Sequence, residues 1–249
     1  MIDESNPAGR LYKILMAARK YQDDTKIRKV WSETLNCSES DDAEISLRVI
    51  EVYQLSHEVQ RLIKLIPELN HDLYLESFSK IDSAIFPLNL QSRWGDKKKS
   101  LGEGLMTSLK FCAEELGKHY SEESISDDDL KEVTQMVTEL FDVVSSSDID
   151  PTLRMALLEE IERIRSAIAV YRIRGARGVK EALQSLLGAV IVNREGLAEL
   201  SDDRPGITTK LGELIDKLDS FTSRALKVGR VLSGPIAKAL EFLKESGVS

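Results

Sequence analysis

The side chains best suited to metal or nucleophilic chemistry are few: Cys37, Cys112, His57, His71 and His119. A zinc site needs four such ligands, or three with a water. None of the five stands in CxxC, HxxxH or HExxH spacing. The stretch nearest a phosphate-binding loop, Gly95-Asp-Lys-Lys-Lys-Ser100, lacks a glycine directly before the lysine, and no strand pattern precedes it. No GxSxG elbow occurs. Glu159, Glu160 and Glu162 precede Arg163 and Arg165, a charge run that reads as a solvated helix face with pairs at i,i+4. With no catalytic motif, the reading leans away from an enzyme and calls for no cofactor and no metal. A site assembled from dispersed residues such as His57, His71, His119 and Cys112 stays open.

Binding chemistry is better represented. Arg172, Arg174, Arg177 and Lys180 surround Gly175 and Gly178 at a helix–helix junction. A helix N-terminus offers free N–H groups and a positive dipole end, and glycine lets a ligand approach the backbone. Arg172, Arg174, Gly175, Arg177 and Lys180 therefore form a candidate anion site. The competing reading is a glycine-capped turn whose arginines meet acidic residues of 127–142. Arg93, Trp94, Lys97, Lys98 and Lys99 form a weaker nucleic-acid candidate, in which the indole would stack on a base and the cations meet phosphates. Phe221, Arg224, Lys227 and Arg230 lie in a basic amphipathic segment that suits a membrane surface or a partner's groove. The same pattern suits an outer bundle helix with snorkelling cations. The acidic stretch Glu114–Asp150 suits either a basic partner or a plain soluble face.

These residues need scaffolding, and the chain supplies helices. It has 249 residues, 42% hydrophobic and 31% charged, with only 6 Pro and 14 Gly. That balance belongs to a folded protein, and the scarcity of breakers favours helix. Asn6-Pro7 opens a first helix, and Ile27, Val30, Trp31 and Leu35 mark a second. Asp41 with Glu44, and Ser100 with Glu103, look like capping boxes. Ser126 ahead of Asp127, Asp128 and Asp129 is a strong helix start, and Asp150-Pro151 is the clearest one. Clean apolar stripes follow both: Leu130, Val133, Val137, Leu140, Phe141 and Val144, then Leu153, Leu157, Ile161, Ile164, Ile168 and Tyr171. The segment 193–206 reads as a connector.

The class expected is all-α, a multi-helix bundle of about eight helices, with two helical subdomains as an option. The Pro-, Gly- and Lys-containing stretch 87–99 is the candidate boundary, dividing 1–95 from 96–249.

Net charge is −8, which makes nonspecific nucleic-acid binding no default. Residues 101–150 hold 3 Lys/Arg against 13 Asp/Glu, whereas 151–249 hold 16 against 13. The N-terminus lacks the apolar stretch of a secretory signal, and no uncharged run approaches the ~20 residues of a membrane span. With two distant cysteines, the expected location is the cytoplasm, both thiols free. The function expected is a non-enzymatic interaction module or assembly subunit. Its partner would be another protein or a second copy, with nucleic acid possible and membrane disfavoured. Anion or nucleic-acid binding at Arg172–Lys180 and membrane association through the C-terminal segment are the alternatives.

Overall fold

The computed structural model describes residues 5–120, 122, 126–203 and 205–226. The all-α class holds: no strand occurs among the described residues, and one isolated bridge pairs Lys26 with Arg93. The helix count differs from the expected eight or so. There are thirteen helical segments among the described residues, four of them shorter than eight residues. Short turns of helix carry no periodic stripe, so they escape a reading based on periodicity.

The chain divides into two compact units, Met1–Ser121 with Arg172–Arg174, and Glu122–Tyr171 with Gly175–Ser249. The stretch 87–99, expected to separate two regions, lies inside the first.

The first unit contains α1 (Pro7–Arg19), α2 (Ile27–Leu35), α3 (Asp42–Lys64), α4 (His71–Leu75), α5 (Ser79–Ile85), α6 (Gly95–Ser100) and α7 (Glu103–His119). Helix α1 packs on α7, α3 and α2. It starts where Asn6 accepts the Gly9 N–H at 3.0 Å, with Pro7 in the first turn. The same amide donates to the Ala113 carbonyl on α7 at 2.9 Å, so one side chain caps one helix and ties it to another.

Asp41 caps α3 by accepting the Glu44 N–H at 2.9 Å. Glu44 does not complete the box; its carboxylate takes Arg48 at 2.7 Å. The box expected at Ser100 and Glu103 does not form. Ser100 closes α6, Gly102 precedes α7, and Glu103 pairs with Arg19 at 2.7 Å.

Segment 90–95 is held by backbone bonds to 23–28. The Trp94 N–H donates to Thr25, Gly95 to Asp23, Ile27 to Ser92 and Arg28 to Leu90, at 2.8–3.0 Å. A Cβ on Gly95 would sit 3.0 Å from the Asp23 Cβ, so glycine permits this approach. Residues 172–174 complete the unit: Ile173 joins its core, and Arg10 donates to the carbonyls of Ile173 and Arg174.

The second unit contains α8 (Asp127–Ser146), α9 (Pro151–Ala169), α11 (Ala176–Val192), α12 (Arg194–Asp203) and α13 (Pro205–Leu226); the short α10 (Tyr171–Arg174) follows α9 in sequence, and its residues 172–174 belong to the first unit. Helix α8 packs on α9, α9 on α11, α11 on α13 and α13 on α8. The ring closes, which makes this a four-helix bundle around one core. Its interior is aliphatic apart from Phe221. Each side chain of Leu or Ile size fully buried there contributes about 1.5–3 kcal/mol. Helix α12, in the segment read as a connector, adds Leu197 and Leu200 to this core.

Candidate functional site

A concave feature lies in the second unit. The α8–α9 loop, the first turn of α9, the end of α11 and the start of α12 together form a groove of about 550 Å³. That volume lies within the range of ordinary binding clefts.

Its geometry begins with Asp150, which accepts the N–H groups of Thr152 and Leu153 at 2.9 and 3.0 Å and sets the start of α9. Ile149, Leu153 and Leu200 then turn inward and form an apolar floor. Gly196 brings α12 close: a Cβ there would lie 3.2 Å from a Leu153 methyl. At the edge Val192 is 81% exposed, the most exposed large apolar side chain described. Asp148, Asp150, Glu195 and Glu199 supply four carboxylates, and among the described residues no lysine, arginine or histidine lines the groove. The neighbouring Arg154 donates instead to the Ser147 carbonyl at 3.3 Å.

The site is not legible in the sequence, where 193–206 reads as a connector. The available signal was Glu195 and Glu199 at i,i+4 with Leu197 and Leu200 on other faces, a short amphipathic pattern.

The residues singled out from sequence are distributed as follows. Arg172 and Arg174 belong to the first unit, and Gly175, Arg177 and Lys180 to the second. Gly175 has φ 69°, the left-handed conformation suited to glycine. Arg174 lies 3.6 Å from Glu51, and Arg177 lies 3.2 Å from Glu181 one turn along its own helix. The first N–H of α11, on Ala176, donates to the Glu122 carboxylate at 2.9 Å, and Glu122 is buried. An anion does sit at this helix start, and it is a side chain of the chain itself.

In the basic loop, Trp94 is fully buried in the first unit. Its Nε1–H donates to the Ala18 carbonyl at 3.0 Å, and its ring meets Trp31 edge-on at 5.5 Å. A base has no access to that ring. Lys97 donates to the carbonyls of Ser83 and Phe86 around the end of α5, and burial pushes its pKa down. Lys98 donates to the Tyr21 carbonyl and pairs with Asp23, and Lys99 pairs with Asp96. Arg93 is exposed.

In the C-terminal segment, Phe221 is buried in the bundle core against Tyr171. Arg224 lies 3.4 Å from Asp129. Lys227 and Arg230 lie outside the described residues.

Much of the acidic block is already paired. Lys217 meets Asp129 and Glu132, and Lys210 meets Glu139 at 2.8 Å, so a ladder of charges joins α8 to α13. The Ser126 hydroxyl, then Arg224 and Lys217, hold the Asp129 carboxyl below its ordinary pKa. Lys210 does the same for Glu139.

The remaining soft ligands are scattered. His57 stands edge-on to Tyr53, the His71 ring lies 2.9 Å from the Ile66 carbonyl, and His119 is 3.7 Å from Glu115. Cys112 is buried, which pushes its thiol up to about 12, and burial also raises Cys37. Among the described residues no three His, Cys, Asp or Glu side chains gather closely enough to hold a metal ion. No helix of the described residues is long and apolar enough to cross a membrane. No protein-family model, curated protein or solved structure matches this chain.

Proposed function

We propose that this chain is a non-enzymatic, cytoplasmic protein-interaction module, or a subunit of a larger assembly, whose partner is another protein or a second copy. The observation that carries the reading is the groove of the second unit. It joins an apolar floor to a polar rim, the anatomy of a protein docking surface.

The test is gentle purification of the tagged chain at low salt from the cells that make it, followed by carbodiimide crosslinking and mass spectrometry. This reagent joins carboxylates directly to lysines, which suits a groove lined by acids. The expected result is a stoichiometric protein partner with crosslinks to Asp148, Glu195 or Glu199. A preparation that is monomeric and free of any stoichiometric protein would overturn the reading.

A further inference from the structure

We infer that the groove between the start of α9 and α12 takes a cationic, amphipathic segment of a protein partner, with lysine or arginine side chains flanking an apolar one. The inference rests on the interaction-module reading and adds the chemistry of the partner.

Charge complementarity carries it. Acidic side chains on α8 are matched from within the bundle: Asp129, Glu132 and Glu139 meet Lys217, Arg224 and Lys210. The groove lacks that compensation. Among the described residues, Asp148, Glu195 and Glu199 make no ion pair, and only Asp150 is occupied, by the N–H groups it caps. Glu195 and Glu199 stand one turn apart on α12, an i,i+4 like-charge pair that weakens a helix unless a cation lies between them. Next to them Val192 extends apolar surface into solvent.

The shape selects the class of cation. No three carboxylates converge on one point, so the negative charge is spread along the groove rather than gathered as a metal cage. An extended ligand matches a spread field. Lysine and arginine carry aliphatic stems that lie along apolar surface while their heads reach acids. The floor of Ile149, Leu153 and Leu200 accommodates the stems or an intervening apolar side chain, and the rim receives the heads. This is the helix-in-groove mode of peptide recognition.

The experiment uses the full chain and a fluorescent synthetic peptide of alternating leucine and lysine clusters designed as an amphipathic helix. The same peptide with glutamate for lysine, and spermine, serve as comparisons. Fluorescence anisotropy should show saturable binding of the lysine peptide that weakens with salt. The glutamate peptide should not bind, and spermine should compete poorly. The double variant Glu195→Lys, Glu199→Lys should weaken binding by on the order of tenfold or more. Glu195→Gln with Glu199→Gln should weaken it less, and Val192→Ser should give a loss of a few-fold, about the effect of removing one or two exposed methyl groups.

Glu39→Lys with Glu68→Lys is the control, because it makes the same change in net charge on exposed positions of the first unit. Circular dichroism confirms that each variant is folded. Absence of lysine-peptide binding, an equal loss in the control pair, or full competition by spermine would each overturn the inference. The two readings fail separately. A native partner crosslinked elsewhere, with no peptide binding, removes the groove assignment and keeps the module. Peptide binding at the groove with no native protein partner does the reverse.

Discussion

The first unit is assembled by bonds between residues far apart in sequence, and the second by stripes that repeat along each helix. In the first, Asn6 reaches Ala113, Trp94 reaches Ala18, Arg10 reaches Ile173, and 90–95 pairs with 23–28. Its core mixes Trp31, Trp94 and Phe78 with aliphatic side chains. In the second, long helices of 17 to 22 residues enclose a largely aliphatic core, with Ser126 and Asp150 as caps and ion pairs joining α8 to α13. Specific anchors concentrate stability in a few side chains, while periodic packing spreads it over many equivalent ones. The unit with the spread design is also the one that presents the groove.

The largest effect expected from this contrast is at the indole. Trp94→Ala should destabilise the first unit by about 3–5 kcal/mol, since it opens a cavity and removes the indole's bond to the Ala18 carbonyl. Both tryptophans of the chain, Trp31 and Trp94, lie in this unit, so fluorescence of the remaining Trp31 during urea unfolding measures it directly. An unchanged midpoint would sink the anchor argument. Ile161→Ala, in the bundle core, should cost about 2–4 kcal/mol and lower hydrogen-exchange protection across α8, α9, α11 and α13. If protection fell only near residue 161, the packing would not be shared as described.

The two caps give a sharper comparison at lower cost. Asp150→Asn keeps a good capping oxygen, and should change stability by no more than about 0.5 kcal/mol. Asn6→Asp also keeps the cap but removes the amide that donates to Ala113, leaving a carboxylate against a buried carbonyl, and should cost about 1–3 kcal/mol. Equal midpoints for the two variants would show that Asn6 is only a cap.

A further small effect is electrostatic. Asp129 and Glu139 are held below their ordinary carboxyl pKa values of 3.8 and 4.5. Their contribution is therefore present at neutral pH and lost as pH falls through and below about 4. Lys210 and Lys217 are raised by the same pairs, so their share is lost only above about 10.5. Lys217→Ala should cost under about 1 kcal/mol at low salt and flatten the acid limb of a circular-dichroism titration. An acid limb identical in the variant would show that the ladder contributes nothing.

The sequence was legible to different depths in the two units. Leu153, Leu157, Ile161 and Ile164, and Val133, Val137, Leu140 and Val144, are buried as their spacing predicts, while Leu130, Phe141, Ile168 and Tyr171 of the same stripes are half-buried against the core. Asn6, Asp41, Ser126 and Asp150 cap as expected, because a capping bond spans only two or three residues. Trp94 was misjudged. A tryptophan beside arginine and lysine resembles a stacking platform, and only the backbone pairing of 90–95 with 23–28 turns the ring inward. Helix α12 was missed because Gly196 and a short apolar pattern dilute its periodicity, and with it went half of the groove.

What the sequence by itself determined is the class, most of the long helices and the faces they bury. Those follow from hydrogen bonds and periodicities that close within a turn or two. What only the tertiary structure decided is the pairing of charges. Glu122 at the start of α11 is 54 residues from its partner, and Lys217 is 88 from Asp129. Coulombic attraction depends on distance in space, and distance along the chain carries little information about it. Which acids are neutralised emerges only when the helices pack.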